Sequence, residues 1–376
     1  MRKKEQFMNP FKYGCVVSGE FLCPRPELEQ QLKSYIQSGQ NIVVHGERRM
    51  GKTSLVRHVI SSMRGIRLLY IDLYCIRTLS DFCRRVLAGL AASNESMSFL
   101  KKAISLIHRL RPAISFDPAN DSPSISIDTR AADEPESLEA VMGMIRNLSA
   151  NEKFCVVFDE FQDILDLEGA NVMLAEMRST IQFQPDTPYI FMGSVRNDML
   201  GIFENDDSPF FKSAIPFTVG LINEDDFADF LMKRFRKGGR KTDKATVKAL
   251  ISHADSVTGD VQELCEAIWE TTEEGEQIGV NDIPRALELI FSREGEAYGA
   301  AIRSLTAKQT SLLRALAETR QAKLFSTEFM DRVRTTSTGI IRTSLKRLVD
   351  KRLIYEYGGK YRFTNPFFRE WILLKM

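Results

Sequence analysis

Over the first 220 residues, short apolar runs alternate with amphipathic stretches. Residues 41–45 (NIVVH), 66–74 (IRLLYIDLY), 153–164 (KFCVVFDEFQDI, apolar and then acidic), 188–194 (PYIFMGS) and 217–222 (FTVGLI) read as strands buried on both faces. Helical periodicity lies between them. Pro26 opens PELEQQLKSYIQSG, which Gly39 closes. KTSLVRHVISSM follows a glycine-rich turn; TLSDFCRRVLAGL and MSFLKKAISLIHRL flank a polar break at Ser93–Ser96. SLEAVMGMIRNL and a stretch around 171–184 complete the set. Strands alternating with helices predict an α/β fold, a parallel sheet covered on both faces. Residues 112–137, rich in Pro, Asp and Ser with brief alternation at AISF and SISID, predict a surface hairpin or mobile loop inserted into it.

From Asn223 the pattern is helical throughout. Asn223 caps a helix with Phe227, Phe230, Leu231 and Phe235 on one face, stopped at Gly238-Gly239. Further helices are expected over 243–253, 260–272 and 281–293. In the last part Thr306 caps a helix with Leu312, Leu313 and Leu316 inward, and STEFMDRV reads as a short second helix. Ser337 or Thr338 caps a third, with Ile340, Ile341, Leu345 and Leu348 inward. LIYEY and KYRF then pair through Gly358-Gly359. Three helices and a hairpin predict a winged helix-turn-helix. The expected division is an α/β core over 1–222, a small helical domain over 223–300 and a winged helix over 301–376.

Composition adds little until charge is placed along the chain. The net charge is +1, but from Ala301 onward there are 16 Lys/Arg against six Asp/Glu, so the first 300 residues carry −9. A basic end able to meet polyanions is attached to a body that is not. Six cysteines fall without a C-x-x-C pair and four histidines lack metal-ligand spacing, which predicts reduced thiols and no zinc site. The basic N-terminus has no apolar signal region and no run approaches a membrane span, so a cytoplasmic protein without membrane contact is expected.

GERRMGKT (46–53) matches G-x-x-x-x-G-K-[ST], and it sits between an apolar run and a helix, the context in which that motif holds phosphates. The reading assigns Gly46, Glu47, Arg48, Arg49, Met50, Gly51, Lys52, Thr53 and Ser54 to nucleotide binding. Gly46 and Gly51 let backbone N–H groups converge, and the helix at Lys52 adds its positive end. Lys52 is expected on the β/γ-phosphates and Thr53 on Mg2+. Asp159, at the end of the run FCVVF, is the second magnesium ligand, held directly or through water. Glu160 is placed to polarise the attacking water. Catalysis is thus assigned to Glu160 and Lys52, with ATP and Mg2+ as cofactors. Ser194 and Arg196, after PYIFMG, read equally well as γ-phosphate sensors or as a loop serine and a surface arginine.

FLCPRPELEQQL, IVVHGERRMGKTSL, VVFDEFQDI and FMGS together resemble the archaeal-type ATPases of the STAND class of P-loop NTPases, relatives of the AAA+ proteins. The double arginine in the loop and the DEFQ run are the most specific marks. The resemblance spans nearly the whole chain and implies an ATPase core, a helical lid and a winged helix. It also implies that Arg25 lies near the nucleotide base and that Lys212 points at the γ-phosphate. The chain departs from the family at Cys23-Pro24-Arg25, where Gly-Arg is usual, and at Val261, where a lid proline is expected.

Two functions follow from this reading. One is an ATP-driven, slowly hydrolysing switch that binds ATP and ADP and couples nucleotide state to the winged helix. The other is a DNA-binding regulator in which nucleotide is structural. Arg342, Lys346 and Arg347, outward on the third helix of the basic module, are the candidate contacts to duplex DNA. The same face also suits a protein partner or plain solvation. A ring-forming motor ranks below both, because it needs an arginine in trans and the sequence offers no clear one. Oligomeric state is left open.

Overall fold

The computed structural model describes residues 7–93, 113–117, 122–126, 135–194, 196–319, 323–357 and 359–376. The helix expected at MSFLKKAISLIHRL lies outside them. The chain divides into two units, Val16–Gly220 and Met1–Cys15 with Leu221–Met376.

In the first unit Pro26 sits in the first turn of α1 (Pro26–Gln37), which buries Leu32 and Ile36, one turn apart. β1 (Ile42–His45) is buried at all four positions and leads through the glycine loop into α2 (Lys52–Ser61). β2 (Arg67–Asp72) and α3 (Leu79–Ser93) follow, then an antiparallel hairpin of β3 (Ala113–Asp117) and β4 (Ser122–Ser126). The hairpin is one of the two forms expected of that segment. α4 (Pro135–Asn151) precedes β5 (Phe154–Asp159), buried along its whole length. A 3-10 helix over Phe161–Asp166 comes directly after the acidic pair, then α5 (Ala170–Ile181), β6 (Tyr189–Gly193), α6 (Arg196–Phe203) and β7 (Ile215–Thr218).

The five parallel strands lie in the order β2-β5-β6-β1-β7. Because β6 separates β1 from β5, the loop after β1, the residue after β6 and the acids ending β5 open in one row at the carboxyl edge, where such sheets receive ligands. Behind that row an aromatic layer fixes the strands: Phe158 stacks on Tyr189 and Phe191 at 6.3 and 6.1 Å between ring centroids, and Phe161 lies 4.7 Å from Phe191. β7 starts two residues earlier than the sequence pattern suggests and stops at Thr218. It is an edge strand paired only with β1, so Pro216, which lacks an N–H, is tolerated inside it. Nothing in the apolar pattern announces the 3-10 helix or α6, both shorter than two and a half helical turns.

The second unit begins with the N-terminal segment, expected to be irregular. Phe11 meets Phe235 edge-on with ring centroids 4.6 Å apart, and the buried Arg234 donates through Nε to the Pro10 carbonyl at 2.9 Å. These contacts dock Pro10 and Phe11 on α7 (Glu224–Lys237). Asn223 caps α7 as expected, its Oδ1 accepting from the N–H groups of Asp225 and Asp226, a device worth about 1 kcal/mol. α8 (Lys244–His253) and α9 (Thr258–Thr271) follow, with a two-residue parallel pair, β8 (Lys241–Thr242) and β9 (Gln277–Ile278). α10 (Ile283–Arg303) runs ten residues past its expected end at 293. Arg293 is bonded to Glu266 and Glu270, and Tyr298 is buried against Phe368. Both anchors lie at or beyond the point where the apolar pattern fades.

α11 (Ala307–Glu318) carries a capping box between Thr306 and Gln309. α12 (Thr327–Val333) and α13 (Thr338–Asp350) are capped by Ser326 and Ser337. β10 (Ile354–Tyr357) and β11 (Lys360–Phe363) form the expected hairpin, and α14 (Pro366–Lys375) buries Phe367 and Phe368 within its own unit. One expectation fails on α13. Ile340 is 40% exposed, while Ile341, Ser344, Leu345 and Leu348 are buried. Those four follow the i, i+3, i+4, i+7 rule, and Ile340 lies roughly 90° from the centre of that stripe, beyond Ser344 at its edge. No helix among the described residues is long and apolar enough to cross a membrane.

Candidate nucleotide site

The loop after β1 owes its shape to a clash avoided and to backbone signs. A Cβ at Gly46 would stand 2.3 Å from the carbonyl oxygen of Val219, so only glycine fits. Arg49 (φ 63°) and Gly51 (φ 82°) take left-handed conformations, which curl the chain so that α2 begins at Lys52 with its free N–H groups toward the loop. Met50 is buried, Glu47 and Arg49 are half-buried, and Arg48 is exposed. The Ser54 hydroxyl accepts from Val17 N at 3.0 Å, which ties α2 to the segment before α1.

Lys52 is 8% exposed, and its Nζ donates to the carbonyls of Gly46 (2.9 Å) and Glu47 (3.0 Å). Burial pulls its pKa down, against the upward pull of Glu160 and Asp159. Arg25 braces the loop from behind. It is buried, with Nη1 donating to Gly220 O (2.6 Å) and Nη2 to Met50 O (2.9 Å), and burial lowers its pKa as well.

The acidic end of β5 is joined to this loop by hydrogen bonds. Thr53 Oγ1 donates to Asp159 Oδ2 at 2.9 Å, Tyr70 Oη donates to the same oxygen at 2.5 Å, and Glu160 N donates to Oδ1 at 2.9 Å. Burial raises the Asp159 pKa; the bonds from Tyr70 and Thr53 oppose the rise and the Glu160 charge adds to it. Burial and the Asp159 carboxylate in turn drive the Tyr70 phenol far above its usual range, so it stays a donor. Glu160 has left-handed backbone (φ 50°, ψ 45°), a conformation costing a non-glycine residue of order 1 kcal/mol, and such costs cluster at functional sites. Its Oε2 accepts from Ser194 Oγ (3.0 Å) and Gln162 Nε2 (2.7 Å).

Thr53, Asp159, Glu160 and Ser194 therefore form one connected constellation beside Lys52. Arg196 opens α6, and its side chain lies outside the described residues. Lys212 is exposed, and among the described residues its ammonium lies over the Phe211 ring, 4.9 Å from the centroid. Arg342, Lys346 and Arg347 are exposed on α13, with the Arg342 guanidinium 5.4 Å from the Phe325 ring centroid. Two residues of the site went unassigned in the sequence, Tyr70 and Gln162. Tyr70 pairs with Val157 across β2 and β5, which makes Asp159 its diagonal neighbour, within reach of an aromatic side chain. Gln162 carried a signal already, the last letter of DEFQ.

The residues fit the cofactors the motif implies. A loop with no room for a Cβ at Gly46 and a buried ammonium suit a phosphate chain. A hydroxyl and a carboxylate are hard oxygen donors, and Thr53 gives its proton to Asp159, so its lone pairs stay available. Among the described residues no group of three or more His, Cys, Asp or Glu could cage a metal. Two oxygen ligands, completed by water and phosphate, match the habit of Mg2+.

Residues 35–196 match the family model described as AAA domain, and residues 296–374 match the model described as probable winged helix domain. No curated protein matches the sequence. Among solved structures the fold is similar to the Walker-type ATPase PABY2304 of Pyrococcus abyssi, with a TM-score of 0.64 at 18% identity over 97% of this chain and 100% of that one. It is also similar to the Aeropyrum pernix ORC1 protein in complex with DNA (TM-score 0.52, 12% identity, 94% and 93% of the two chains). The Aeropyrum pernix ORC2 protein, solved with ADPNP and ADP, gives 0.52 at 14% identity over 93% and 92%. The loop bonded to a buried strand-end aspartate thus lies within the region that matches the AAA domain, and a region that matches a probable winged helix domain follows it.

Proposed function

We propose that the chain is an ATP-binding, slowly hydrolysing switch of the STAND type, whose nucleotide state is coupled to its winged helix. The observation that carries this reading is the hydrogen-bonded path from Thr53 through Asp159 and Glu160 to Ser194. In it, backbone N–H groups of residues 46–54 and Lys52 hold the phosphates of ATP or ADP. Thr53 and Asp159 hold Mg2+, which neutralises phosphate charge. Glu160 accepts the proton of the attacking water, and Ser194, bonded to that carboxylate, is placed to register the γ-phosphate. Arg25 keeps the loop in shape through Met50. Residues 16–220 serve as the ATPase core, 221–300 as the lid domain, which takes the N-terminal segment expected in the core, and 301–376 as the winged helix that changes partners.

The test is steady-state and single-turnover ATP hydrolysis, with and without duplex DNA, beside Glu160→Gln. Removing a general base costs about 100-fold or more in turnover, and ADP affinity should stay as it is. A Glu160→Gln protein that hydrolyses like the wild type would dispose of the assigned base.

A second reading, a DNA-binding regulator in which nucleotide is structural, is favoured by one feature: three cations exposed together on α13 within a segment of net charge +10. Turnover stimulated by DNA unites the two readings in one DNA-responsive machine. Turnover indifferent to DNA favours a protein partner for the winged helix.

A further inference from the structure

Gln162 is 7% exposed, in the 3-10 helix that follows Glu160. Its side-chain nitrogen donates to two carboxylates, Glu160 Oε2 at 2.7 Å and Asp163 Oδ1 at 2.9 Å. Turning the amide over would set its oxygen against both acids, so the hydrogen-bond network fixes its orientation. The fixed orientation carries a cost. Among the described residues Gln162 Oε1 is buried without a hydrogen-bond partner, a state that works against the fold. A side chain kept only for packing would do better as methionine, which fills the same length with nothing unsatisfied.

The fold also makes room for that oxygen. A Cβ on Gly193, the last residue of β6, would stand 2.5 Å from Gln162 Oε1 and from Met199 Cγ. Asp163 holds the far side: its Oδ2 accepts from Cys75 N at 2.8 Å, in the loop after β2. The amide is thus gripped by a glycine at its back and an anchored carboxylate at its side. Ser194 donates to the same Glu160 oxygen, so the two donors share Oε2 and leave Oε1 for water.

We infer that Gln162 is a positioning residue for Glu160: with Ser194 it aims the carboxylate, and it acts on hydrolysis only through that side chain. This rests on the reading of Glu160 as the general base. Gln162→Met keeps the length and removes both donated bonds. Gln162→Glu keeps the shape and sets a third acid against the pair.

The test combines single-turnover ATP hydrolysis, ADP affinity and urea unfolding of the nucleotide-free protein for Gln162→Met, Gln162→Glu, Glu160→Gln and Gln162→Met/Glu160→Gln. Gln162→Met should lower the rate constant about tenfold, the scale of one lost charged hydrogen bond, and Gln162→Glu should lower it further. ADP affinity should stay within twofold, which also certifies the fold. The double variant should be no slower than Glu160→Gln alone, and its loss in urea midpoint should be smaller than the two single losses together. Gln162→Met at wild-type rate, or a double variant slowed by the product of the two single effects, overturns the inference while leaving Glu160 as base. Glu160→Gln at wild-type rate overturns the reading of the base and the inference with it.

Discussion

Lys52 and Lys346 are the same side chain in two regions that treat charge on opposite terms. Lys52 is buried in the α/β unit, its ammonium spent on two loop carbonyls and bent toward neutrality by desolvation. Lys346 stands exposed on α13 with Arg342 and Arg347, in water that screens it. A ligand at the first region meets donors already in place, so little ordering remains to be done and each contact is short-ranged. A ligand at the second meets a field instead, strong at a distance and weak in salt. The difference teaches where function must be sought: by removal of single atoms in the cradle, and by removal of summed charge on the helix.

The largest break in that comparison is Lys52→Ala. Losing a charged donor to a phosphate costs about 1.5–3 kcal/mol per hydrogen bond, so nucleotide affinity should fall on the order of 10- to 100-fold. Calorimetric titration with ADP and ATP would measure it, at 0.1 M and again at 1 M salt. The loss should be nearly the same in both, because water and ions do not reach a group this buried. Unchanged ADP affinity in Lys52→Ala would mean that the cradle lies elsewhere.

The charge-removal variant Arg342→Ala/Lys346→Ala/Arg347→Ala sharpens the other side. Duplex affinity at 0.1 M salt should drop about tenfold or more, with the slope of log K against log salt shallower by about 0.9 for each phosphate no longer neutralised. The effect should fade at 0.5 M salt, and ADP affinity should not move. Equal slopes for variant and wild type would assign the face to solvent or to a protein partner.

Gly46→Ala gives a smaller and more local result. The new methyl would stand 2.3 Å from Val219 O, so either β7 or the loop must shift. ADP affinity should fall by about tenfold and the thermal midpoint by several degrees, as for other overpacked sites that cost roughly 1–3 kcal/mol. Gly51→Ala is its control for a different cause: the space there is open, and only the left-handed backbone resists.

What could be read from the sequence divides along the same line. The cradle and Asp159 were legible because a motif of eight residues and a four-residue strand fix their own neighbourhood; GERRMGKT needs only β1 before it and α2 behind it. The parallel sheet was legible because buried strands announce themselves by unbroken apolar runs. Tyr70 was not, since its partner is set by the register of β2 against β5, and register is decided by the sheet as a whole. The docking of Phe11 on Phe235 was hidden too, because it joins positions more than two hundred residues apart with no periodicity to betray it. Ile340 failed for the opposite reason: an apolar residue just past the edge of a true stripe looks like part of it.

Tyr70→Phe produces the smallest of these effects and is the most discriminating about charge. Burial raises the Asp159 pKa above its value in the unfolded chain, and the Tyr70 hydrogen bond is one of the forces holding that rise in check. A carboxyl raised on folding adds stability that is complete below its unfolded pKa and is lost as pH rises through its folded pKa. Deleting the phenol oxygen lifts the folded pKa further. The variant and the wild type should then differ little in urea midpoint at acid pH, where Asp159 is protonated in both. They should part as pH climbs toward 8, to a deficit of about 1.5 kcal/mol, the low end for one hydrogen bond to a charged group. The Mg2+ concentration needed for half-maximal hydrolysis should rise severalfold in the variant, most at the acid end, where the proton competes best for the carboxylate. Ser194→Ala, which leaves Asp159 untouched, should give a flat difference over the same range. A deficit in Tyr70→Phe that is equally flat from below the ordinary carboxylate range up to pH 8 would place the phenol in the role of packing alone and leave Thr53 as the side chain that holds the Asp159 charge.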